Sequence, residues 1–192
     1  MLRAHRFAPA VATAVLATAA LATAGTAHAA PVAHAPATHA RAALAASCSQ
    51  AYLPLPDPSC TPGATNPDVT QDTIDSTICV AGYSSSIRPS TTYTNRLKVQ
   101  QIAAYGYADT NTADYEEDHF IPLSLGGHPT DPNNLWPEPR YATGPSGLTS
   151  TDKDTVEYKL YRAVCNHQVN LVPAQQAIAT DWTTALSVLG LS

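Results

Sequence analysis

The residues with the richest chemistry lie close together in the middle of the chain. Glu116-Glu117-Asp118-His119 runs into Phe120-Ile121-Pro122-Leu123, then Gly126-Gly127, then Asn133-Asn134-Leu135-Trp136. A carboxylate such as Asp118 is a hard oxygen ligand, suited to Mg2+ or Mn2+. An imidazole such as His119 has an ordinary pKa of about 6.5, so it can take a proton from water near neutral pH. On a regular strand, adjacent side chains point to opposite faces. Asp118 and His119 can therefore serve one site only where the strand bends or bulges. The double glycine permits a tight return of the chain, and Asn134 can tie that return together through its amide.

A hairpin must hold these residues. DHFIPLSLGG reads as a strand running into a glycine turn, and NLWPEP as a second short extended segment. Residues 107–116 read as polar and turn-like, and 142–149 as a Gly/Pro/Ser loop. Upstream, 48–66 is too rich in Pro and Gly for a helix. Residues 67–79 suit a short helix and an extended entry to Cys79, and Arg88-Pro89 marks an extended segment. Thr94 reads as the N-cap of a helix carrying Leu97, Val99, Gln101, Ile102 and Ala104, stopped by Gly106. Downstream, Ser150 or Thr151 caps a helix from about Asp152 to Asn166, with Val156, Leu160, Ala163 and Val164 as its apolar stripe. A last helix starts at Pro173 and carries Ala177, Ile178, Trp182, Ala185 and Leu189 at helical spacing. Trp136 and Trp182 read as core, His128 as a turn residue, and His167 as a helix-end residue suited to the dipole.

The pattern DHxxPLxxGG, then NL, then a helix resembles the HNH endonucleases of the ββα-metal fold. It is carried by Asp118, His119, Pro122, Gly126, Gly127, Asn134 and Leu135. The wider stretch from Cys79 to Trp182 is similar to secreted bacterial HNH-like proteins. That likeness rests on YEEDHFIPLSLGG, NLWPEPR, the Lys153-Asp154 helix start, AVC and AIATDW. The resemblance implies an α+β fold in which a small β-hairpin plus helix is embedded among additional helices. It implies His119 as general base for water attack on a phosphodiester, Asp118 as metal ligand, and Asn134 as the residue that holds the loop and orients His119. The family's third position is a His or Asn early in the following helix. No His lies between His128 and His167 here. Glu157 is the first choice of ligand in its place and Asp154 the second. Such a carboxylate set favours Mg2+ or Mn2+, with Ca2+ and Zn2+ as alternatives. Of the scarce cations, Arg140 and Arg88 are the candidates for phosphate contact, Arg140 because it closely follows the hairpin.

Composition bounds these expectations. Arg3 and Arg6 lead into an Ala/Val/Leu run ending at Ala27-His28-Ala29, the pattern of an export signal over residues 1–29. Loss of both arginines moves the net charge from −5 to −7. Such a surface repels polyanions on average, which excludes a tight, charge-driven nucleic-acid binder but not an enzyme that meets phosphate through a metal. Residues 30–47 read as a flexible Ala/Pro-rich leader, with His34 and His39 as solvated linker residues, and 48–192 as one HNH-like domain. No later stretch approaches about 18 apolar residues, so no membrane span is expected. Four cysteines in an exported chain point to two disulfides, with no CxxC spacing to suggest zinc. Cys48–Cys60 would close a short Pro-rich loop and Cys79–Cys165 a long one. Two functions compete. One is a secreted, monomeric, metal-dependent nuclease of low sequence specificity, with DNA or RNA as substrate. The other is a non-catalytic HNH-like binding or structural module at the cell envelope.

Overall fold

The computed structural model describes residues 47–191. The expected export signal, and the leader up to residue 46, lie outside the described residues. The described chain mixes helix with one two-stranded antiparallel hairpin. Two disulfides form, Cys48–Cys60 and Cys79–Cys165, the pairing expected from the sequence. Among the described residues no helix is long and apolar enough to cross a membrane.

A 3-10 turn at Gln71–Ser76 precedes the short helix α1 (Tyr83–Ile87). Arg88 is then extended, as a residue before proline must be. Helix α2 (Thr91–Ala104) begins earlier than expected because Ser90, not Thr94, is its cap. The Ser90 hydroxyl accepts the N–H of Tyr93 at 3.3 Å, a contact that contributes about 1 kcal/mol. Thr94 lies inside the helix, with its hydroxyl turned back to the Ser90 and Thr91 carbonyls.

Strand β1 (Tyr115–His119) pairs with β2 (Leu135–Pro139) in unbroken register, from Tyr115 opposite Pro139 to His119 opposite Leu135. β1 therefore begins inside the stretch expected to be turn. Its anchor is Tyr115, fully buried with its ring centroid 4.8 Å from that of Tyr107. Pro137 and Pro139 are two residues apart, so both positions lacking an N–H face away from β1. The ladder bonds then fall to Trp136 and Glu138.

Helix α3 (Ser150–Cys165) is capped by Thr149, one residue before the expected position. Thr149 and Asp152 form a capping box, the Thr149 N–H donating to Asp152 Oδ2 at 2.8 Å. Helix α4 (Leu171–Asp181) starts two residues before Pro173, since proline is tolerated in a first helical turn. The expected single last helix is two helices. The Asp181 carboxylate reaches forward to accept the Thr183 N–H at 2.9 Å, the helix ends there, and α5 (Ala185–Val188) follows. The core gathers Trp136, Trp182, Tyr105, Tyr115, Leu160 and Ile178. Both tryptophans are thus core residues, and the Trp182 indole N–H is satisfied by the Pro54 carbonyl.

Candidate functional site

The loop between β1 and β2 is closed by one side chain. Asn134 has no exposed surface. Its Nδ2 donates to the carbonyls of Ile121 (2.9 Å) and His128 (3.1 Å), and its Oδ1 accepts the N–H of Ile121 at 2.9 Å. These bonds satisfy buried backbone groups that would otherwise cost about 1–3 kcal/mol each. The two glycines serve different needs. Gly126 is left-handed, at φ 72°. At Gly127 an added Cβ would lie 1.7 Å from the Ile121 carbonyl oxygen, so the chain can return only where no side chain exists. His128 Nδ1 accepts the N–H groups of Thr130 and Asp131, which makes it a turn residue.

His119 stands at the end of β1, 4% exposed, with Nε2 3.0 Å from the Pro129 carbonyl oxygen. A carbonyl only accepts, so Nε2 carries the proton and Nδ1 holds the free lone pair. Among the described residues Nδ1 has no hydrogen-bond partner. Burial lowers the imidazole below its ordinary pKa. The Pro129 carbonyl and Asp118 pull it partly back, while Arg88 and Lys153 push it down. The result is a neutral ring in one tautomer at neutral pH. Arg88 is thus close enough to act on His119, although the two are 31 residues apart in sequence and Arg88 itself is exposed.

Asp118 leaves the strand on the other side, because the register carries no bulge. The bend that would bring both side chains to one point is absent. Asp118 meets Lys153 of α3 instead. The Lys153 Nζ donates to Asp118 Oδ2 at 2.6 Å, to the His119 carbonyl at 3.3 Å, and to Glu157 Oε1 one turn along the helix. An ammonium has three N–H groups, and all three are used. The Lys153 side chain is 1% exposed. Burial alone would lower its pKa. Asp118, Glu157 and Glu138 outweigh that, and hold its pKa well above the ordinary lysine value.

Two further carboxyls complete the electrostatics. Glu138 of β2 is buried, and burial followed by the Asp118 charge pushes its pKa well above the ordinary glutamate value. Glu117, on the His119 side, has both oxygens buried without a partner among the described residues. Burial, then Asp118, raises it to about 8. Of the other predicted site residues, Asp154 is exposed on α3. Arg140 pairs with Glu116 at 3.3 Å, at the opposite end of the hairpin from His119. His167 adopts a left-handed backbone just after α3 and lies 3.4 Å from Asp75.

Asp118 and Glu157 do come together, but around an ammonium. Magnesium demands near-octahedral oxygen coordination at about 2.0–2.1 Å, and the space between these carboxylates is filled by Lys153. Among the described residues no group of three His, Cys, Asp or Glu side chains is arranged to hold a metal ion. The donor set does not fit the ion. Sequence reasoning missed the parts played by Lys153 and Glu138. Lys153 lies on the same helical stripe as Val156, Leu160 and Val164, an apolar face on which a lysine needs a buried partner. Glu138 falls directly opposite Glu116, a like-charge pairing that calls for a nearby cation.

No family model, curated protein or solved structure matches the chain.

Proposed function

We propose that the protein is an exported phosphodiester hydrolase acting on DNA or RNA with low sequence specificity, with His119 as general base. The observation that carries this reading is the His119 imidazole, held neutral with Nε2 committed to Pro129 and Nδ1 left free to accept a proton. A water at Nδ1 gives up a proton to the ring, its oxygen attacks phosphorus, and the leaving oxygen departs to be protonated by solvent. Arg88 supplies positive charge that reaches His119. Asn134 keeps the loop that presents the Pro129 carbonyl. The hairpin followed by α3 is compatible with the ββα arrangement that the sequence resembles. The two disulfides and the lack of a membrane-spanning helix among the described residues are compatible with an extracellular protein. No step of this reading passes through a metal ion.

The test is hydrolysis of DNA and RNA by residues 30–192, as a monomer, with Mg2+, Mn2+, Ca2+ or Zn2+ in turn and with a chelator. Cleavage that falls at least 100-fold in His119→Ala is the expected result, the range a positioned general base supplies being about 10²–10⁴. No cleavage under any of these conditions defeats the proposal. A second reading, a non-catalytic module, is favoured by one observation, the closure of Asp118 and Glu157 on a buried lysine. It predicts capture of a cell-envelope partner that survives His119→Ala, with no hydrolysis.

A further inference from the structure

We infer that the ammonium group of Lys153 is the resident cation between the carboxylates of Asp118 and Glu157, in the place where an HNH-like site would hold a divalent metal. The inference stands on geometry and does not rest on the hydrolase reading.

Three observations carry it. The first is saturation: Nζ gives one hydrogen bond each to Asp118, Glu157 and the His119 carbonyl, so its donors are exhausted inside the protein. The second is enclosure. The Lys153 side chain is 1% exposed, and those of Asp118 and Glu157 are 15% and 16% exposed, which leaves no space for a hydrated ion between them. A divalent ion at that point would have to expel the ammonium or sit against it, two cations in one low-dielectric pocket. The third is connectivity. The lysine comes from α3, and the Asp118 carboxylate and His119 carbonyl it holds come from β1, so the ammonium ties the helix to the hairpin as a structural metal would. A covalently tethered cation does this at any external metal concentration. Its third bond reaches the His119 backbone, so the same group fixes the end of β1 from which the imidazole projects.

The experiment uses the purified full chain. Lysine ammonium groups are followed by 1H–15N NMR in chelator and then with Mg2+ added. One slowly exchanging ammonium signal, assigned through Lys153→Arg and unchanged by Mg2+, is the expected result. Mn2+ is then added, and paramagnetic broadening is mapped by residue. The Asp118 and Glu157 signals stay sharp in the wild type. In Lys153→Ala the Asp118 and Glu157 carboxylates face an open space, and Mn2+ broadens those signals and raises the unfolding temperature. Saturable Mn2+ broadening at Asp118 and Glu157 in the wild type overturns the inference, as does loss of the ammonium signal on adding Mg2+. If Lys153→Ala does not fold, the two wild-type measurements decide. Failure of the nuclease assay leaves this result untouched, and metal binding at the cluster would sink it without bearing on His119 as a base.

Discussion

Glu117 shows what a single residue contributes to the character of this hairpin. Both of its oxygens are buried without a partner among the described residues, and its pKa is raised to about 8. A folded-state value above the unfolded one means that the folded chain holds a proton the unfolded chain has released. Stability from this group is therefore full below the ordinary glutamate value and is lost as pH rises through about 8. Glu117→Gln keeps the shape without the titration. The variant should match the wild type at about pH 5 and exceed it by on the order of a few kcal/mol at about pH 9, measured by urea denaturation. Equal pH dependence in both proteins would show that Glu117 is hydrated and not buried. His119 shifts in the opposite direction. Its lowered pKa keeps the ring neutral as pH falls below its ordinary value of about 6.5, so activity with His119 as base should persist into mildly acidic solution. A pH profile whose acidic limb lies at or above that ordinary value would count against the buried, neutral ring.

At the scale of elements, the return of the hairpin depends on the absence of a side chain at Gly127. A Cβ there would overlap the Ile121 carbonyl oxygen and crowd Asn134 Nδ2 at 2.8 Å, so Gly127→Ala must break the Asn134 network. It should cost more than about 4 kcal/mol or abolish folding. Gly147→Ala serves as the control: φ is +66° there, unlike at Gly127, but nothing lies within 4 Å, so only the backbone penalty of about 1 kcal/mol applies. Matching losses in the two variants, read by urea denaturation, would refute the close approach at Gly127. The hairpin was largely legible in the sequence, because DHFIPL, the double glycine, Asn134 and NLWPEP each mark a required local geometry. Its start was not. Tyr115 is the buried anchor, but the polar Glu116-Glu117-Asp118 that follows is half-buried on both faces and gives no alternation to read. Helix starts were misplaced by a few residues where an earlier hydroxyl, Ser90 or Thr149, took the cap. The candidate site was legible as residue types and not as partners. Asp118, Glu157 and Lys153 could be named from sequence, yet the choice between a metal and an ammonium depends on which helix face packs against the hairpin, and that is a tertiary fact.

The whole molecule is braced at two very different ranges, and that difference decides which brace matters more. Cys48–Cys60 spans 12 residues and closes the Pro-rich segment on itself. Cys79–Cys165 spans 86 residues and joins the segment just before α1 to the C-terminal end of α3. In the chain-entropy picture the short loop contributes about 3 kcal/mol and the long one about 4.5. The position of the long bridge adds a second effect. α3 carries Lys153 near its start and Cys165 at its end, so the helix that supplies the internal cation is tied at its far end to the chain before α1. Loss of that tie frees α3 to move away from the hairpin, and the buried ion pairs at Asp118 and Glu157 are then exposed to water. Cys79→Ser with Cys165→Ser should therefore lower stability more than Cys48→Ser with Cys60→Ser, by about 1.5 kcal/mol or more beyond it. It should also make the Lys153 ammonium exchange rapidly with solvent, whereas the short-loop variant should leave that exchange slow. Thermal unfolding and ammonium NMR on the two double variants check both statements. A larger loss from the short loop would mean that native contacts in the Pro-rich segment, and not closure of the long chain, dominate the stability supplied by the disulfides.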